Sequence, residues 1–66
     1  MEEIDIWRTA SLLITQHGYA AGFAAAQRAD ALLAKNDYQG VAVWMRVGRA
    51  ITALEREKPR EGEGLN

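Results

Sequence analysis

The stretch Asp5-Ile6-Trp7-Arg8-Thr9-Ala10-Ser11-Leu12-Leu13-Ile14-Thr15-Gln16-His17-Gly18 decides the fold class. Ile6, Trp7, Ala10, Leu13, Ile14 and His17 recur at the intervals that place residues on one face of an α-helix. Arg8, Ser11, Thr15 and Gln16 fall on the opposite face, where Leu12 is the one large apolar residue. Asp5 is a good N-cap, and Gly18 can adopt the left-handed conformation that ends a helix. The pattern predicts a helix over about 5–17.

Outward from that helix the same period continues with a different texture. Tyr19 to Ala34 is rich in alanine, the strongest helix former. Phe23, Leu32 and Leu33 spread over half the helix surface with Ala25, Ala26 and Ala29 between them, while Gln27, Arg28 and Lys35 mark the polar side. Such a wide, shallow apolar face suits a middle helix, approached closely on two sides, over about 19–35. Asn36-Asp37 has turn chemistry, and Asp37 is placed to cap the next helix.

From Tyr38 to Glu57, Gly40, Val41, Val43, Trp44, Val47, Gly48, Ile51 and Leu54 share an arc, with Arg46, Arg49 and Arg56 gathered opposite. Gly40 and Gly48 each cost about 1 kcal/mol relative to alanine in a helix interior, so their place on the apolar arc points to close approach by another group. Pro59 stops the pattern, and Arg60-Glu61-Gly62-Glu63-Gly64-Leu65-Asn66 has the composition of a flexible tail. No strand alternation or internal repeat interrupts this. The expected architecture is all-α: a three-helix bundle with helices over about 5–17, 19–35 and 38–57, forming one domain over 1–58 followed by a disordered tail over 59–66.

Composition bounds what such a domain can do. A chain of 66 residues buries only about 60% of its unfolded surface, and folds of this size usually rely on disulfides, a metal, regular helix packing or oligomerisation. The chain has no cysteine and one histidine, which leaves packing and assembly, and no cofactor or metal is expected. A net charge of −1 gives no global attraction for nucleic acid or an anionic membrane. The acidic start, Glu2-Glu3-Ile4-Asp5, is unlike a signal peptide, and no apolar run approaches the roughly 20 residues of a membrane span. A soluble cytoplasmic protein of bacterial type is the resulting expectation.

Four groups of residues invite a functional reading. His17, on the apolar arc next to Gly18, could serve as a general base or pH switch; capping the last carbonyls of its helix is the plainer role. Asp30, at the edge of the alanine-rich face, calls for a partner such as His17, Arg46 or Arg49, and a register-fixing ion pair outweighs a catalytic one. Arg46, Arg49 and Arg56 form a stripe that could touch phosphates in the manner of a recognition helix. The first turns of that helix, Gly40-Val41-Ala42-Val43, offer no base-reading side chains, and nearby glutamates dilute the charge, so a solvated face is favoured and nucleic acid is the runner-up. Trp7 and Trp44 lie on apolar arcs, where aromatics usually form core, yet a core this small cannot enclose two tryptophans, Phe23 and two tyrosines. Leu12, Tyr38 and Met45 also fall off the main arcs. This surplus predicts a non-enzymatic module that self-associates, most simply as a homodimer, through Trp7, Leu12, Phe23, Tyr38, Trp44 and Met45. No phosphate loop, nucleophile–base pair or metal-ligand spacing is present in the sequence.

Two resemblances accompany this. Arg28-Ala29-Asp30-Ala31-Leu32-Leu33-Ala34-Lys35-Asn36-Asp37-Tyr38-Gln39-Gly40-Val41-Ala42, with Trp44 and Ala50-Ile51, resembles a single tetratricopeptide-type hairpin, which implies an antiparallel helix pair. Over most of the chain, Ile6-Trp7, Leu12-Leu13, His17-Gly18, Ala20-Ala21, Arg28-Ala29-Asp30, Leu32-Leu33, Asp37-Tyr38-Gln39-Gly40, Val43-Trp44 and Ala50-Ile51 resemble a family of small bacterial proteins of unknown function. That resemblance implies a helical fold and carries no activity.

Overall fold

The computed structural model describes residues 2–57, so the expected tail over 59–66 lies outside the described residues. The described chain is helical apart from Glu2 and the turn at 35–37, and contains no strand. Its elements are α1 (Glu3–His17), a three-residue 3-10 turn (Gly18–Ala20), α2 (Ala21–Ala34) and α3 (Tyr38–Glu57).

The expectation of three separate helices needs one correction. Counted as unbroken helical runs there are two, 3–34 and 38–57, because the 3-10 turn carries helical structure through the junction of α1 and α2. Gly18 makes this work. It takes φ 59° and ψ −130°, its N–H donates to the Ile14 carbonyl, and its own carbonyl accepts from Ala21 N–H. Direction changes there without a loop, since glycine alone enters that backbone region freely.

α1 starts two residues earlier than Asp5 would have it. Glu2 occupies the N-cap position without a side-chain cap bond, and its carbonyl accepts from the N–H groups of Asp5 and Ile6 at 3.0 and 3.1 Å. Asp5 instead joins Glu3 in the first turn, where a carboxylate complements the positive end of the helix dipole.

The second helix ends in a closed capping motif. Asn36 sits in the left-handed region at φ 60°, Asn36 N–H donates to the Leu33 carbonyl at 2.9 Å, and Asp37 N–H donates to the Leu32 carbonyl at 2.9 Å. This is the paired arrangement in which a left-handed residue satisfies the last carbonyls of a helix, with asparagine in the place glycine most often takes. Asp37 then caps α3, as its side chain led one to expect, its Oδ1 accepting from Gly40 N–H at 3.0 Å. A Cβ on Gly40 would lie 2.8 Å from Asp37 Oδ2 and 2.8 Å from Leu32 Cδ1, so this glycine admits both the cap and the packing of Leu32. Asp37→Ala should cost about 1 kcal/mol. Gly40→Ala should also destabilise, although alanine is intrinsically the better helix former. A urea titration of each variant measures both, and a stabilising Gly40→Ala would contradict the close contact.

Packing is organised around α3. Both α1 and α2 touch α3 more than they touch each other. The tight turn makes α2 and α3 antiparallel, with the Arg28 guanidinium 5.1 Å from the centre of the Trp44 ring. α1 runs alongside α3 in the same direction: Glu3 near its start meets Arg46, while Ser11 and Ile14 near its end share a cleft with Leu54 and Glu55. The buried core is Ile6, Ala10 and Leu13 from α1, Ala21 and Ala25 from α2, and Val47, Ala50 and Ile51 from α3. Four of these eight are alanine. Alanines at the crossing points let helix axes approach, and closely spaced axes leave no volume for aromatic rings between them.

Candidate interaction surface

The surplus of apolar side chains is largely where the sequence put it, on the outside. Ile51 and Val47 are the largest fully buried side chains, and no aromatic residue is fully buried. Phe23 is 67% exposed, Tyr38 65%, Leu12 54% and Met45 53%. Trp7 stands at the border of exposure, and Trp44 packs partly buried against the core. Ile4, Tyr19 and Leu33 are exposed as well. Tyr19 stands on the 3-10 turn rather than in α2, and is almost wholly exposed.

Two open clefts organise this surface. One, of ≈ 270 Å³, lies between the start of α1 and the middle of α3 and is bordered by Glu3, Ile6, Trp7, Arg46, Arg49 and Ala50. Arg46 Nη2 donates to Glu3 Oε1 at 2.6 Å, and Trp7 Nε1 donates to Glu3 Oε2 at 3.2 Å. Glu3 thus gives Trp7's indole the partner it requires and ties the end of α1 to a residue 43 positions away. With both ionic partners well exposed, the pair contributes a few tenths of a kcal/mol to about 1 kcal/mol.

The second cleft, of ≈ 250 Å³, runs between α2 and α3 on the outer side of the hairpin. Its α2 wall is small, with Gly22, Ala26 and Ala29 facing Trp44, Met45, Gly48 and Thr52 of α3, and Arg49 also lines it. Gly48 was expected to accommodate a close neighbour, but a Cβ there, or on Gly22, would meet nothing within 4 Å. Within one chain neither glycine is required by packing.

The polar candidates are not assembled into a site. His17 is exposed in the last turn of α1 and makes no side-chain hydrogen bond among the described residues, so it does not cap the helix carbonyls; the Gly18 backbone does that. Asp30 is exposed rather than half-buried, and is not ion-paired with His17, Arg46 or Arg49 among the described residues. The physical reason is the placement of α2: its alanines Ala21 and Ala25 face the core, which turns Asp30 toward solvent. The arginine stripe is divided, with Arg46 committed to Glu3, Arg49 between the two clefts, and Arg56 in the last turn of α3. Among the described residues there is no group of three or more histidine, cysteine or acidic side chains that could hold a metal, and no helix long and apolar enough to cross a membrane. No family model, curated protein or solved structure matches the chain.

Proposed function

We propose that this protein is a non-enzymatic helical interaction module that acts as a homodimer, its three helices forming a bundle whose apolar face is closed by a second copy. The observation that carries this reading is the inversion of size between inside and outside. Half of the buried residues are alanine, while Phe23, Leu12, Tyr38 and Met45 are more than half exposed. Exposed apolar area of this extent on so small a chain is characteristic of a surface that is covered in the working state. Small domains without disulfides or metals also commonly gain stability through assembly. The lack of cysteine fits a cytoplasmic setting.

The nucleic-acid reading is less favoured, because Arg46 is engaged by Glu3 and the first turns of α3 carry no base-reading side chains. Thermal unfolding followed at two protein concentrations a hundredfold apart tests the proposal. For a dimer that unfolds to monomers, the midpoint rises by several degrees at the higher concentration. A midpoint independent of concentration would refute it.

A further inference from the structure

Resting on that reading, we infer that two copies pair groove to groove across a two-fold axis, α2 on α2 and α3 on α3, with Leu33 of each copy seated over Gly22 of the other. Such a contact sets like side against like side, and every pair in it is made twice. On α2, Gly22, Ala26, Ala29 and Leu33 follow one another at four-, three- and four-residue intervals, which keeps them on one face. The first three line the groove between α2 and α3, to which α1 contributes no residue. Leu33 continues the stripe toward the turn and is 50% exposed. Antiparallel pairing about the midpoint between Ala26 and Ala29 matches Gly22 with Leu33. One has open space where its Cβ would lie, and the other is an apolar side chain in need of cover. Between them Ala26 meets Ala29, and side chains this small let the two helices approach closely.

The other helix of the hairpin makes a second match independently. Leu32 lies against Gly40, and the Arg28 guanidinium lies over the Trp44 ring, which fixes the register of α2 against α3. Carried across to α3 in that register, the axis falls between Trp44 and Met45. Met45, 53% exposed, therefore stands beside its counterpart at the axis. Side chains on a helix lean toward its N-terminus, so each Met45 reaches over Gly48 of the other copy, where a Cβ would also meet nothing. Two exposed apolar side chains and two glycines that packing within the chain does not require thus account for one another, and Phe23 flanks the seam on its outer side. The face extends over the 14 residues of α2, about 21 Å, and across two helix widths, about 20 Å. Both copies together cover about 800 Å² in projection, to which the relief of the side chains adds, a size that suits a reversible dimer.

The test exploits the distance between the paired positions. Gly22 and Leu33 are 11 residues apart on one helix, about 16 Å, and do not touch within a chain. Coupling between them in association therefore reports a contact between copies. Gly22→Leu has free space in its own chain and replaces glycine with a better helix former, so it keeps its far-ultraviolet circular dichroism. By sedimentation velocity it should self-associate about 100-fold more weakly than the natural chain, because the space that receives Leu33 is filled on both copies. Leu33→Ala should weaken association about 10-fold through lost burial. The double variant, Gly22→Leu with Leu33→Ala, exchanges the large and the small partner and should associate more tightly than Gly22→Leu alone. Unchanged association of Gly22→Leu, or a double variant no tighter than Gly22→Leu, would overturn this pairing while leaving self-association standing. A natural chain that is monomeric would instead overturn the reading on which it rests.

Discussion

Ile51→Ala should cost about 2–5 kcal/mol, the range for deleting most of a buried aliphatic side chain when its surroundings cannot fully collapse. Ile51 is 0% exposed and is the largest side chain that the core encloses completely. Half of the buried cluster is alanine, namely Ala10, Ala21, Ala25 and Ala50, so few long side chains are at hand to fill the gap. A domain of 66 residues has roughly 3–10 kcal/mol of stability in total. The substitution should therefore remove a large share of that stability. Urea unfolding monitored by helical circular dichroism measures this directly. A loss below about 1 kcal/mol would show that the core lies elsewhere.

Phe23→Ser should have the opposite character. The ring is two-thirds exposed and is absent from the core cluster, so the isolated chain loses almost nothing in helical content. Its loss should weaken self-association by about 30-fold or more, the effect of removing a central aromatic anchor worth about 2 kcal/mol. The two variants separate folding from assembly: one disrupts helical structure, the other leaves it and releases monomers. If Phe23→Ser destabilised the chain as much as Ile51→Ala at low concentration, Phe23 would be a core residue of the monomer. Unchanged association would exclude it from the interface.

Much of this was legible in the residues. Gly18 marked the end of α1, Asn36-Asp37 marked the turn, Asp37 marked the cap of α3, and Gly40 marked a close approach; each rests on a local backbone requirement that one residue type meets best. The exterior position of Leu12, Tyr38 and Met45 was readable from their place off the apolar arcs. What periodicity could not supply was the depth of each apolar position. Ala10 and Ala25 lie on the apolar faces that the pattern predicts, but nothing in the pattern ranks them, or Ala21, above Phe23 as core, and it is these alanines that are buried. The close helix spacing over them is what leaves Phe23 outside and Trp7 at the surface. The tie between Glu3 and Arg46 spans 43 residues and had no local signal, so Arg46 was read as a partner for Asp30 or as part of a phosphate-facing stripe. The 3-10 turn was equally hidden, since Tyr19 and Ala20 continue a helical pattern in composition while Gly18 redirects the backbone.

The glycines show the same division between local and non-local requirements. Gly40 is explained within the chain by Asp37 and Leu32, whereas Gly22 and Gly48 have open space where a side chain would go. Each should cost about 1 kcal/mol of helix stability relative to alanine. Their position on facing walls of one groove gives that cost a rationale only if something else comes close, as a second copy would under the proposed self-association.

Sedimentation equilibrium of the natural chain tests the central claim most directly. Self-association through the exposed apolar face predicts a weight-average mass approaching twice the 7.3 kDa of the chain as concentration rises through the micromolar range. A single species at the monomer mass up to about 100 µM, above which affinities are weaker than roughly 5.5 kcal/mol, would contradict it.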